Sequence, residues 1–265
     1  MAESGPRPSG AAIAAAEARV TGAVLGVAAV AWLITVALTR DAGMAMPASD
    51  WRLRTAVAFL VAWTVMMAAM MLPSVTPAAR LWLWAIRGDT SDPSSRVLRM
   101  AAFVAGYLVS WVAVGVAALA VIVAGSALAR TTPMHGRLAG AGLLVLAGAY
   151  QLTPLKQACL IKCRAPFGLF LTYSAFGPRL RDLRVGIHHG AYCVGCCWGL
   201  MAVLVAVGMT NLLLMAAVAG AVALEKAWSR GVGLSRWLGV VMIAAGLLAL
   251  FVQGVAPGLS PPMGM

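Results

Sequence analysis

The chain has 265 residues, 62% of them hydrophobic and only 11% charged, with a mean hydropathy of +0.90. Ordinary soluble domains carry roughly 25% charged residues, so a water-soluble globule of this size is ruled out by its lack of polar surface. The formal charge of +12 does not mark a nucleic-acid binder, because the basic residues sit in short segments between long apolar blocks, as in a membrane protein.

In chain order, residues 1–19 contain Glu3, Pro6, Pro8, Glu17 and Arg19. They lack the basic start and short apolar core of a secretory signal and are expected to form a cytoplasmic tail. The apolar blocks then predict seven helical spans, at 20–39, 55–72, 100–128, 138–152, 190–207, 209–224 and 237–255. Together they make one all-α polytopic transmembrane bundle over 20–255. The count turns on 191–224, which carries no charge for 34 residues. A single helix of that length would reach about 51 Å, against a hydrocarbon core near 30 Å. Two short helices joined at Gly208, Met209, Thr210 and Asn211 fit better, with six spans as the alternative. Between spans four and five lies a basic loop, 153–189. Thr153 and Pro154 form either a kink or a new helix start, with Thr153 as cap and Pro154 in the first turn. The apolar segment 167–176 is too short to span and is expected at the interface or re-entrant. Residues 256–265 are expected to be a disordered extracytoplasmic tail.

The charges orient this arrangement. Fifteen of the 20 Lys and Arg residues fall on the side of the N-terminus, which puts that side in the cytoplasm.

All five cysteines lie between 159 and 197, as Cys159, Cys163, Cys193, Cys196 and Cys197. Cys159 and Cys163 share a helical face, and Cys193, Cys196 and Cys197 fall within roughly a 100° arc. Span two carries Met66, Met67, Met70 and Met71 at its cytoplasmic end, with Trp63 on the same arc, and Met201 follows the second cysteine group. Thiolates and thioethers are soft ligands suited to Cu(I), and thiolates also to zinc or iron–sulfur clusters. Buried cysteine and methionine are also ordinary packing residues, so packing remains the competing reading. A permanent disulfide is disfavoured in a reducing compartment, and Cys196 and Cys197 are expected to diverge on a helix. Cys193 and Cys196 in a helix first turn would also suit a thiol relay. Met44, Met46, Met263 and Met265 fall on the outer side.

His188 and His189 precede span five and are expected to be solvated, although imidazole can ligate copper or zinc. Glu225 and Lys226 are expected to form a helix-end ion pair, and Tyr150, Gln151 and Asn211 to hydrogen-bond between helices. The chain has no Walker loop, zinc-hydrolase His-Glu-x-x-His, dinucleotide fingerprint or Gly-x-Ser-x-Gly elbow. No catalytic residue is assigned.

Three strings, WTVMMAAMMLPS at 63–74, YQLTPLK at 150–156 running into Cys159 and Cys163, and CVGCCWGLM at 193–201, resemble a bacterial family of predicted metal-binding integral membrane proteins. Some of its members are labelled copper chaperones. The resemblance covers about residues 55–230. It implies a multi-pass protein of the bacterial inner membrane with a metal role. The leading expectation is a protein that holds Cu(I) or exchanges it with a donor or acceptor protein. The five cysteines would supply thiolates, with Met66, Met67, Met70, Met71 and Met201 as auxiliary ligands and the basic loop offsetting the charge. A membrane thiol–disulfide oxidoreductase and a non-catalytic accessory subunit are the alternatives.

Overall fold

A computed structural model of the protein describes residues 10–40, 53–86, 92–164, 173 and 180–252. Among these the chain is all-helical, with eight helices and no strand. They are α1 (Gly10–Arg40), α2 (Leu53–Ile86), α3 (Pro93–Thr131), α4 (Pro133–Gln151), α5 (Pro154–Arg164), α6 (Arg181–Val207), α7 (Leu212–Ala227) and α8 (Gly231–Leu248). Most of segment 167–176, the tail 256–265 and Met44, Met46, Met263 and Met265 lie outside the described residues.

Five helices are long and apolar enough to cross a membrane: α1, α2, α3, α6 and α8. The pair α4–α5, bent by 64° at its break, makes a sixth if counted as one span. Helix α7 has 16 residues, about 24 Å in length, less than a hydrocarbon core of roughly 30 Å. By length and composition the number of candidates is therefore five or six, where the sequence pattern predicts seven.

Several boundaries differ from the hydropathy pattern for local reasons. Helix α1 starts at Gly10, so part of the expected 1–19 tail is helical. Helix α2 continues past residue 72 through Pro73 and Pro77, because Trp82, Leu83 and Ile86 bury an apolar face beyond them. The Ser74 and Thr76 hydroxyls donate to the Met71 and Leu72 carbonyls beside this proline-interrupted stretch. Helix α3 begins at Pro93, where proline costs no helical bond. The Asp92 carboxylate caps it by accepting from the Ser95 amide (2.8 Å) and the Ser94 hydroxyl (2.6 Å). Those bonds hold the Asp92 carboxyl down to about 2, from 3.8. The ionised cap is therefore favoured above the unfolded value and is lost as pH falls through the folded one.

Thr153 and Pro154 start a new helix: α4 ends at Gln151, and the Lys156 amide donates to the Thr153 hydroxyl (3.3 Å). The 191–224 stretch is two helices. Gly208 ends α6 at φ +132°, a conformation open to glycine, and Asn211 caps α7 through the Leu214 amide (3.0 Å). Asn211 thus serves its own helix rather than a neighbouring one.

Contacts between elements fix their directions. Arg80 near the end of α2 pairs with Glu17 near the start of α1 (2.5 Å). Trp82 and Arg99 both donate to Asp182, joining the end of α2 to the starts of α3 and α6. Helices α3 and α6 run side by side in parallel, because Gly106 faces Leu183 and Ile187 while Gly186 faces Phe103 and Tyr107. Helices α4 and α8 run antiparallel through Gly148 and Gly239. At its centre α2 is buried on every face, from Met66 to Leu72.

The α3–α6 approach is backbone on backbone. A Cβ at Gly186 would lie 2.0 Å from the Phe103 carbonyl oxygen, whereas one at Gly220 meets nothing within 4 Å. Gly186→Ala should lower the melting temperature in detergent, by an overpacking cost of about 1–3 kcal/mol or more. Gly220→Ala should leave it unchanged or raise it, since alanine favours helix by about 1 kcal/mol over glycine. Equal melting of the two variants would contradict this packing.

Candidate metal centre

The sequence separates the two cysteine groups by a thirty-residue gap, and the fold closes it. Helix α5 packs on α6, bringing the sulfurs of Cys163, Cys193 and Cys196 within 4.8 Å of one another. Cys193 and Cys196 project from one face because they are three residues apart on a continuous helix. Cys196 donates to the Cys193 carbonyl (3.2 Å), turning its sulfur back along α6. The Cys196 and Cys197 sulfurs lie 3.2 Å apart. Their expected divergence is therefore corrected: side-chain rotation overcomes the 100° between neighbouring positions. All five cysteines are free thiols. Cys159, half-buried, lies outside the three-sulfur group. Its sulfur occupies the space over Gly195, 2.8 Å from where a Cβ would stand.

Two polar side chains reach Cys193 from other helices. Lys226 of α7 donates to its sulfur (3.0 Å) and to the Ser74 hydroxyl of α2 (2.9 Å). Tyr107 of α3 lies 3.0 Å from the same sulfur and donates to the Met71 carbonyl (3.4 Å). Cys193 is itself 1% exposed. An ammonium and a phenol thus lie against one buried sulfur. The ammonium that contacts Cys193 comes from α7.

Sequence reasoning missed this use of Lys226 by pairing it with Glu225. Neighbours on a helix do not face each other, and that spacing was the available signal. Glu225 instead pairs with Lys156 of α5 (2.7 Å), both almost wholly buried. This pair anchors α5. The helix has 11 residues, and Lys156 and Leu160 are its buried positions. Outside the bundle the Lys162 ammonium meets Tyr192 (3.2 Å) and Arg164 donates to the Trp228 carbonyl (2.6 Å). Tyr150 adds an interhelical bond, as expected, donating to the Gly195 carbonyl (2.5 Å) between the cysteines. Gln151 also bonds between helices, to Ser235 and Met242 of α8.

The histidines do not precede the helix but lie within it. Helix α6 starts at Arg181, about two and a half turns earlier than expected. His189 is 2% exposed and packs against the Phe103 and Tyr107 rings; His188 contacts the Tyr173 hydroxyl (3.2 Å). The same extension puts Cys193 and Cys196 in the helix interior. The first-turn setting that would activate a thiol relay is therefore absent from them.

Met66, Met67, Met70 and Met71 are all buried in the core that contains the cysteines. Tyr107 links the end of this run to Cys193. Met201 lies elsewhere on α6 and lines an apolar cavity of about 200 Å³ with Trp63, Val114, Leu143 and Trp198.

Three sulfurs from two helices, on two buried residues and one half-buried one and with an ammonium against Cys193, define a helical bundle with a candidate soft-metal centre. The family model described as PpoB2, copper chaperone, matches residues 60–249. The chain belongs to this copper chaperone family. Neither a curated protein nor a solved structure matches it.

Because Lys156–Glu225 anchors α5, breaking it should free Cys163. Removing one partner of a buried pair costs about 3–5 kcal/mol, whereas replacing both with apolar residues is often neutral. Glu225→Gln should lower the melting temperature and speed maleimide labelling of Cys163 in protein whose other four cysteines are serine. Lys156→Met combined with Glu225→Leu should restore both toward wild type. Unchanged labelling in Glu225→Gln would show that the pair does not hold α5.

Proposed function

We propose that the chain is an integral membrane protein that holds Cu(I) as cargo and exchanges it with a donor or acceptor protein. Cys163, Cys193 and Cys196 form the primary ligand group. The observation that carries this reading is the convergence of three thiols from two helices within 4.8 Å of one another. Metal–thiolate bonds of about 2.3 Å place three sulfurs about 4 Å apart around one ion, a spacing compatible with the 4.8 Å limit found here. An all-sulfur group suits Cu(I). Closed structural zinc sites take four ligands, one more than this group gathers. Three thiolates around a monovalent ion leave excess negative charge, which Lys226 offsets in place.

Cys197 and Cys159, next to the group, serve as transfer positions through which the ion moves by ligand exchange. Met66, Met67, Met70, Met71 and Met201 are auxiliary thioether positions in the dry core.

The bilayer reading rests on the five or six helices of sufficient length and apolarity. Seven crossings are supported further by the alternating directions of α1, α2, α3, α4, α6, α7 and α8. The short α7 completes the alternation, since its last turn returns to the Cys193 end of α6. With fifteen basic residues on the N-terminal side, the thiols face the cytoplasmic half of a bacterial inner membrane. A reporter fused after Met265 should then read extracytoplasmic and one inserted at 88–90 cytoplasmic. The same reading from both would defeat the seven-span topology.

Copper per folded protein, measured after purification in mild detergent under reducing conditions, tests the site. Cys163→Ser, Cys193→Ser and Cys196→Ser should each cut copper content sharply, and double variants should add little, because members of one site act together. Met70→Leu should change binding less, since leucine nearly conserves volume and thioether is the weaker, uncharged donor. Stoichiometric copper retained in Cys163→Ser and Cys196→Ser would overturn the shared site. Metal-free wild type with a reversible disulfide would favour the oxidoreductase reading instead.

A further inference from the structure

Helix α6 carries a metal-ligating side chain at every fourth position from 189 to 201: His189, Cys193, Cys197 and Met201. Residues four apart on a helix have Cβ atoms about 5–6 Å apart, close enough for each neighbouring pair to share one ion. All four are at most 2% exposed, so the row runs inside the bundle. It covers about 18 Å along the helix axis, more than half of a hydrocarbon core of roughly 30 Å. The three-thiol group sits within it. Helix α2 covers the same levels. Its Met71 is joined to Cys193 through Tyr107, and its Trp63 lines one cavity with Met201. Met66, Met67 and Met70, all buried, lie between those two points of α2. The cavity continues past Met201 to Val205, one further turn along α6, and to Val121 of α3.

Packing alone does not account for the row. His189 Nδ1 is buried with no hydrogen-bond partner among the described residues, and such an atom costs stability that an apolar side chain would not. With the ring neutral and its proton on Nε2, Nδ1 presents the lone pair a metal ligand needs. Thiol–disulfide exchange does not account for the row either, because the imidazole and thioether at its ends cannot enter a disulfide. Nitrogen and sulfur donors with no carboxylate among them suit a soft ion rather than a hard one.

We propose that the chain passes Cu(I) across the bilayer along α6, between His189 and Met201 by way of Cys193 and Cys197, in the direction the copper gradient sets. This path rests on the copper and bilayer readings above, and it makes the thiol group a stop in transit rather than an end point. At each step one bond to copper forms as another breaks. The ion stays Cu(I) and no electron moves. Between thiols, the proton of the incoming ligand passes to the thiolate being vacated, and the Cys196 and Cys197 sulfurs, 3.2 Å apart, are in direct contact for that exchange. When copper moves on to uncharged His189 or Met201, the thiolate charge left behind stays in the group, offset by Lys226 at 3.0 Å from Cys193. The methionines of α2 offer thioethers over the same interval.

Proteoliposomes containing a trapped, membrane-impermeant Cu(I) chelator, bathocuproine disulfonate, test it, with copper added outside under ascorbate. Wild type should colour the trapped chelator faster than protein-free vesicles do, with a rate that saturates in copper. Met201→Leu, which nearly conserves volume, and His189→Phe, which keeps a ring against Phe103 and Tyr107, should each slow influx per copper bound about tenfold. Gly220→Ala, which faces open space, should match wild type. If His189→Phe does not fold, Met201→Leu decides alone. Influx no faster than in protein-free vesicles, or unchanged in either folded variant, would overturn the proposal. So would escape of a trapped dye at a rate matching copper entry. Any of these with copper still bound to the thiols would leave the copper reading standing. Metal-free wild type would overturn both together, and release of the chain from membranes by alkaline carbonate would overturn the bilayer reading and this proposal.

Discussion

The thiol group depends on holding a helix with little core of its own. Helix α5 is three turns long, leaves α4 at a steep bend, and buries Lys156 and Leu160. A segment so short gains too little from apolar burial to keep one orientation by itself. The buried Lys156–Glu225 pair supplies direction as well as attraction, since ammonium and carboxylate must meet with few alternatives available. Two buried charges are costly to desolvate, and that cost penalises any arrangement in which α5 leaves α7. The position of Cys163 opposite Cys193 and Cys196 follows.

A second constraint is the close approach of α3 and α6. Gly106 and Gly186 bring their backbones together with no side chain between. This sets Tyr107 beside Cys193 and stacks His189 against the aromatic rings of α3. With α7 delivering Lys226 and α2 delivering Ser74, four helices besides α6 meet around its cysteines. The Cys193 sulfur thus meets an ammonium and a phenol within the core. The sulfurs of Cys163 and Cys196 lie within 4.8 Å of it.

Adjacent residues in this region do unlike jobs. Glu225 turns to α5 and Lys226 to α6 and α2, so one helical step separates an anchor from the partner of a thiol. Cys196 and Cys197 also neighbour each other, yet their sulfurs turn to within 3.2 Å of one another. Backbone position alone decides the first case. In the second, rotation about the side-chain bonds prevails, because a thiol is short and a hydrogen bond to the Cys193 carbonyl rewards the turn.

Much of this was legible in the residues themselves. The scarcity of charge and the long apolar blocks determined an all-helical bundle. The break at Gly208 and Asn211 was readable because glycine alone adopts that φ readily and asparagine caps the next turn. Proline marked the start of α5. Cysteine spacing determined which sulfurs share a face, since helical periodicity is local, and the three family strings carry the metal role the family implies. Helix lengths were less legible: hydropathy finds apolar windows, whereas α2, α3 and α6 continue beyond them wherever a cap or a buried face sustains the helix. The partners across the fold were not legible at all. That Lys226 faces Cys193 and not Glu225, that Tyr107 belongs to the centre and that Cys159 stands outside it depend on which helices touch and at what register. Those are long-range contacts, and only the packed tertiary structure, through glycine-mediated approach and buried charge pairing, decided them.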